Sequence, residues 1–205
     1  MSGTYTSPAA SLTDSELEAR RKAVDDMFQG YKKKAFSKAP DMSVKELHKM
    51  LDKKNSSTSK QVVVIDVRTP GEREVSIIPQ AISRSEFEAH KKDFEKHTVV
   101  AYCTIGYRSG QYVQELLGEG FNAFNLKGSI LEWSLEGFAL VDPNGKTTGE
   151  SAETKRVHVF GENWNLVGRD YEAVWFVRLP IHRLLWDFIC GWFRRIRALN
   201  FGFLG

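Results

Sequence analysis

The stretch Val99–Leu117, VVAYCTIGYRSGQYVQELL, decides the fold. It begins as a β-prone apolar run and ends in helix-forming residues, with a short loop headed by Cys103 between them. A strand feeding a helix through such a loop is the unit of an open parallel sheet, where ligands bind beyond the C-terminal strand ends. Loop N–H groups and the helix N-terminus make that position electropositive, and a thiol placed there has a lowered pKa. A lone cysteine at a strand end is more often a small buried residue. The reading of Cys103 as a nucleophile therefore depends on the rest of the chain.

Upstream, Gln61–Val67 (QVVVIDV) is too uniformly apolar for a strand with one wet face and suits a strand buried on both sides. A polar, helix-prone stretch, Glu86–Lys96, separates the two runs. Downstream, Arg108–Glu119 reads as a helix stopped by Gly120, FNAFNL (Phe121–Leu126) as a third strand and Ile130–Gly137 as a short helix. Strand alternating with helix predicts a doubly wound parallel α/β sheet. Thr13–Glu16 (TDSE) and Ser43–Glu46 (SVKE) have capping-box spacing. The first predicts a helix running toward Tyr31, with Leu17, Val24, Met27 and Phe28 on one face; the second opens a helix at Val44. Residues 1–12 read as a disordered lead, and Asn55–Ser59 as a loop. Val157–Trp175 reads as a hairpin or irregular linker with no chemistry to assign.

At 205 residues, 41% hydrophobic and 27% charged, the chain has the composition of a soluble globular protein with one well-packed domain plus extensions. Two cysteines cannot build a disulfide framework, so a reducing, intracellular setting is expected. A net charge of +3 argues no general affinity for nucleic acid. The N-terminus lacks the apolar core of a secretory signal, and Asp14, Glu16 and Glu18 fit a transit peptide poorly. No run of about 18 apolar residues occurs. The histidines at 48, 90, 97, 158 and 182 show no metal-ligand spacing. The cysteine loop lacks the Gly-Lys-Ser/Thr ending of a phosphate loop. No cofactor or metal is expected.

Asp66–Ala81, DVRTPGEREVSIIPQA, lines up with a D-V-R-x-x-x-E…I-P-x-A pattern through Asp66, Arg68, Glu72, Ile78, Pro79 and Ala81. Tyr102–Gly110, YCTIGYRSG, fits a C-x-x-G-x-R-S loop through Cys103, Gly106, Arg108 and Ser109. Leu126–Trp133, LKGSILEW, supplies an L-x-G…W element, followed by Gly137. In this order, from about Ser43 to Asp142, the chain resembles the rhodanese (thiosulfate sulfurtransferase-like) family. The resemblance implies a five-stranded parallel sheet and a ping-pong sulfur transfer. Cys103 thiolate would take a sulfane sulfur from a small donor, thiosulfate or a persulfide, and pass it to a thiophilic acceptor. Backbone amides of Thr104, Ile105, Gly106, Tyr107 and Arg108 would cradle the persulfide, Arg108 would add fixed positive charge, and Asp66, Arg68 and Ser109 would support the loop.

Departures from the pattern lie at Ser76, Ile77, Gln80, Ser129 and Ala139. Thr104 and Ile105 are neutral where many thiosulfate-using loops carry a cation. Related phosphatases and arsenate reductases use His-Cys-x5-Arg; here Tyr102 precedes the cysteine and Arg108 follows at C-x4-R spacing, a shorter loop that suits a sulfur atom better. The rival on the same fold is a catalytically idle accessory subunit of a membrane-associated assembly.

The C-terminal stretch is unlike the rest. From Pro180, residues Arg183, Asp187, Cys190, Arg194 and Arg197 fall on one narrow stripe at helical spacing, and most others are Leu, Ile, Trp or Phe. This predicts an amphipathic helix lying on a membrane surface, with Trp175, Trp186 and Trp192 at headgroup level, or docked in a groove of a protein complex. Trp186, Trp192, Phe193, Arg194 and Arg195 are the expected contacts. The expected segments are a helical lead (1–41), the rhodanese-like domain (42–142), a linker or hairpin (143–178) and the tail (179–205). The expected location is intracellular, at the periphery of an organelle membrane, the mitochondrion first.

Overall fold

A computed structural model describes residues 4–9, 11–52, 62–143 and 153–176 of the chain. Residues 6–175 form one compact unit; residues 1–5 and 176–205 form another, of which Thr4, Tyr5 and Phe176 are described. The tail residues Trp186, Trp192, Phe193, Arg194 and Arg195, and the Asn55–Ser59 loop, lie outside the described residues.

The N-terminal lead is not featureless. Strand β1 (Thr4–Ser7) forms where disorder was expected, because Thr4, Tyr5 and Thr6 are β-prone residues that the neighbouring Ser, Pro and Ala mask in a composition reading. Helix α1 (Asp14–Ala35) starts at the predicted capping box: Thr13 accepts from the Glu16 N–H, and the Glu16 carboxylate accepts from the Thr13 N–H at 2.8 Å. It buries Val24 and Phe28, with Leu17 and Met27 partly buried against the core. After β2 (Asp41–Met42), helix α2 (Val44–Leu51) opens at the Ser43–Glu46 box.

Strand β3 (Val62–Asp66) is followed by α3 (Pro70–Arg73), β4 (Ile82–Ser83) and α4 (Arg84–Ala89). The helix-prone stretch up to Lys96 breaks at His90 into a short 3₁₀ turn, Lys91–Phe94. Then come β5 (Thr98–Tyr102), α5 (Tyr107–Gly118), β6 (Asn122–Leu126), α6 (Ser129–Leu135) and β7 (Leu140–Val141). Five strands pair in the order β2-β6-β5-β3-β4, all parallel. β5 is central, flanked by β3 and β6.

Alternation along β5 explains why the sheet needs cover on both faces. Val99 and Ala101 join a cluster with Phe28, Phe36, Phe87, Tyr112 and Leu116. Val100 and Tyr102 face the opposite cluster, with Leu47, Ile130, Leu131 and Trp133. Both sets of β5 residues are fully buried, as a doubly wound strand requires.

The region after β7 differs from the hairpin or linker expected. β8 (Glu153–Thr154) pairs antiparallel with β7, whereas β9 (Arg156–His158) and β10 (Glu172–Phe176) pair parallel, Ala173 opposite Val157 and Val174 opposite His158. A parallel pair cannot be joined by a tight turn. The connection through Val167 and Tyr171 folds back onto the core, where Val157, Val159, Val167, Tyr171 and Ala173 pack in the same cluster as Trp133. Trp175, grouped with the tail's tryptophans in the sequence reading, lies in β10 and packs partly buried against that cluster.

Candidate active site

The central strand β5 ends at Tyr102, and Cys103–Gly106 carries the chain into α5. Gly106 has φ +107°, a left-handed conformation that side chains disfavour, and a Cβ there would sit 2.6 Å from the Phe28 ring of α1. The turn aims the Gly106 N–H at Cys103 Sγ, 3.2 Å away. Fully buried Asn125 of β6 holds the turn: its Nδ2 donates to Gly106 O at 3.0 Å, and its Oδ1 accepts from the Ser109 hydroxyl at 2.7 Å.

Ser129 secures the other side. Its hydroxyl accepts from the Cys103 N–H at 3.1 Å and donates to Leu126 O at 3.2 Å. Ser129 itself has φ +52°, so its backbone takes a conformation suited to glycine while its side chain gains a contact glycine could not make. Ile130 and Leu131 N–H groups, at the start of α6, donate to the carbonyls of Cys103 and Thr104.

Cys103 is 2% exposed. Burial pushes its thiol pKa up, but the Arg108 charge, hydrogen bonds from Ser109 and the Gly106 N–H outweigh it, leaving the thiol below its ordinary value. Arg108 is not a free cation. Its Nη1 and Nη2 donate to the two oxygens of Glu72 at 2.8 and 2.7 Å, a bidentate pair, and Nη2 lies 3.5 Å from Thr104 Oγ1. The same carboxylate caps α3, accepting from the Thr69 N–H and hydroxyl at 2.9 and 2.7 Å. Burial pushes the Glu72 pKa up, yet the Arg108 hydrogen bonds and charge, with those from Thr69, dominate and lower it to about 2.

Asp66 and Arg68 form a buried ion pair beneath the loop, Nε to Oδ1 at 2.9 Å and Nη2 to Oδ2 at 2.7 Å. Arg68 also donates to Ser76 O, and the Tyr102 hydroxyl donates to Asp66 Oδ2 at 2.6 Å while accepting from the Ile78 N–H. The residue before Cys103 is thereby tied to β3 and to the Ile78 backbone. Thr104 and Ile105 side chains are buried; Tyr107 is 39% exposed and packs edge-on against Tyr31. Among the described residues no cluster of His, Cys, Asp or Glu is placed to hold a metal ion.

Sequence reading assigned nothing to the segment that completes this neighbourhood. At the end of β9, His158 Nδ1 lies 3.6 Å from Glu72 Oε1, and the Phe160 ring lies under the Arg108 guanidinium, 5.3 Å from its centroid. Phe160 packs edge-on against both His158 and Trp164. No local pattern links these residues to Cys103. Asn125 and Phe28 carry no such signal either; the sequence pattern places Phe28 only on a helix face shared with Leu17, Val24 and Met27.

Residues 43–136 match the family model of the rhodanese-like domain. A sulfurtransferase of Allochromatium vinosum is 32% identical over 91 residues, 42% of this chain and 85% of that protein. A tRNA uridine(34) hydroxylase of Burkholderia pseudomallei is 30% identical over 111 residues, covering 49% of this chain but only 37% of the hydroxylase. Among solved structures, a rhodanese-related protein of Thermoplasma volcanium superposes with a TM-score of 0.42 at 26% identity, over 50% of this chain and 97% of that one. With its family-model match over 43–136 and a sulfurtransferase relative 32% identical over 85% of its length, the chain belongs to the rhodanese-like family.

Proposed function

We propose that the protein is a sulfurtransferase that carries sulfane sulfur as a Cys103 persulfide from thiosulfate or a persulfide donor to a thiophilic acceptor. The carrying observation is the Gly106 N–H directed at a Cys103 Sγ whose pKa Arg108 lowers. A thiolate is the nucleophile in such chemistry, and a backbone donor aimed at its sulfur stabilises the anion before attack and the terminal persulfide sulfur after it. In the first half-reaction Sγ bonds the donor's outer sulfur, the donor's S–S bond breaks and the leaving group departs with the electron pair. In the second, the acceptor takes the outer sulfur and Sγ departs as thiolate.

Intact-mass spectrometry before and after donor, with cyanide added last, tests the reading. A one-sulfur gain at Cys103 that cyanide removes is expected, and Cys103→Ser should abolish it. No gain with any donor, in folded protein, would instead favour the idle accessory subunit. The near-complete burial of Cys103 and the engagement of Arg108 by Glu72 support that second reading.

We propose, from sequence alone, that residues 179–205 tether the protein to a membrane surface or a protein complex, at an organelle such as the mitochondrion. Deletion from Pro180 should release it from the membrane fraction; retention there would sink the tether.

A further inference from the structure

We infer that Phe160, held in place by His158, selects the sulfur donor at Cys103, favouring one with an apolar or aromatic group and a single negative charge or none over the thiosulfate dianion. This rests on the sulfurtransferase reading but concerns residues outside the rhodanese-like match, which ends at 136.

The first observation is how the site's cation is used. The bidentate fork of Arg108, the pair of donors that best fits an oxyanion, is on Glu72, and the guanidinium face is covered by Phe160. Thr104 and Ile105 carry neutral, buried side chains, so neither adds a positive charge to the loop. Anion recognition is left mainly to backbone N–H groups. Attack of thiolate on thiosulfate gathers three negative charges in one reacting complex. An aryl thiosulfonate gathers two, and a neutral persulfide only one. Where the local positive charge is already matched by a carboxylate, each additional negative charge raises the barrier.

The second observation is what the extension supplies instead. Phe160 is 43% exposed, so much of its ring is open to a ligand beside Arg108. The ring is not loose: His158 lies perpendicular to it at 5.8 Å and Trp164 edge-on at 5.5 Å. His158 is itself buried beside Glu72, and β9 fixes its backbone against β10. An exposed aromatic face held against the guanidinium of the cysteine loop's Arg108 offers apolar area at little entropic cost.

The step balances without an added oxidant or reductant. With benzenethiosulfonate, Sγ bonds the outer sulfur, the S–S bond breaks and benzenesulfinate leaves with the electron pair. With thiosulfate the same bonds change and sulfite leaves.

The full chain would be assayed with thiosulfate, with benzenethiosulfonate and with the persulfide of N-acetylcysteine methyl ester, measuring kcat and KM for each donor and loading of Cys103 by intact mass. The wild-type protein should prefer both weakly charged donors by kcat/KM. Phe160→Ala should raise KM for benzenethiosulfonate about fivefold, the worth of one aromatic contact, with kcat little changed and thiosulfate kinetics unaffected. Phe160→Trp should retain the preference. Equal use of thiosulfate by the wild type, or the same fractional loss with every donor in Phe160→Ala, would overturn the inference while leaving sulfur transfer standing. No loading of Cys103 by any donor would overturn both, and the mass measurement separates the two failures.

Discussion

Burial and charge pull the Cys103 thiol in opposite directions, and the balance rests on one side chain. Burial disfavours the thiolate; Arg108 is the leading counterweight, assisted by the Ser109 and Gly106 donors. Because the folded pKa lies below that of a free thiol, the thiolate should appear, on raising pH, at a lower midpoint in the folded protein than in the urea-unfolded chain. Thiolate absorbance in a Cys190→Ser background would show this. Arg108→Gln should move the midpoint upward, since it removes the charge and leaves the burial; a midpoint unchanged by that substitution would mean that the loop amides alone set the acidity. The candidate thiol was legible in the sequence because the motif around it is local. Its partner was less so: Glu72 and Arg108 were both in the recognised pattern, but only the folded chain joins them, with Thr69 and His158 around the same carboxylate.

At the scale of elements, helix α1 does more than lead into the domain. Its Phe28 is fully buried, sits in the cluster with Val99, Ala101 and Tyr112, and lies where a Cβ on Gly106 would be. It is a wall behind the cysteine loop. Phe28→Ala should therefore cost about 3–5 kcal/mol in denaturant unfolding. It should also blunt the low thiol pKa, because the Gly106 turn that aims its N–H at Sγ would lose its support. A cost below about 1 kcal/mol would place Phe28 at the margin of the core. The capping boxes and the apolar stripe predicted α1 and α2 closely, since both signals act between residues three or four apart. Two further boxes, Thr69–Glu72 and Ser83–Glu86, open α3 and α4, helices of four and six residues too short to show periodicity in the sequence.

For the whole molecule, apolar residues between Val157 and Ala173 belong to the core. Val157, Val159, Val167, Tyr171 and Ala173 are at most 2% exposed and pack in the cluster built around Trp133 and Ile130. Each large apolar side chain among them contributes about 1.5–3 kcal/mol by burial, and together they rival the 5–15 kcal/mol by which a typical domain is stable. A chain ending at Asp142 should thus lose cooperative unfolding, as read by tryptophan fluorescence against urea. A fully cooperative transition with the wild-type midpoint would return this segment to the status of a linker.

The sequence by itself determined the doubly wound sheet, three of its strands and the cysteine loop, because strand runs, helix caps and a strand–loop–helix motif are written in neighbouring residues. The tertiary structure alone decided the parallel pairing of β9 with β10, the engagement of Arg108 by Glu72, and the arrival of His158 and Phe160 beside them. Those contacts join segments far apart in the chain, through packing and charge that no local periodicity encodes.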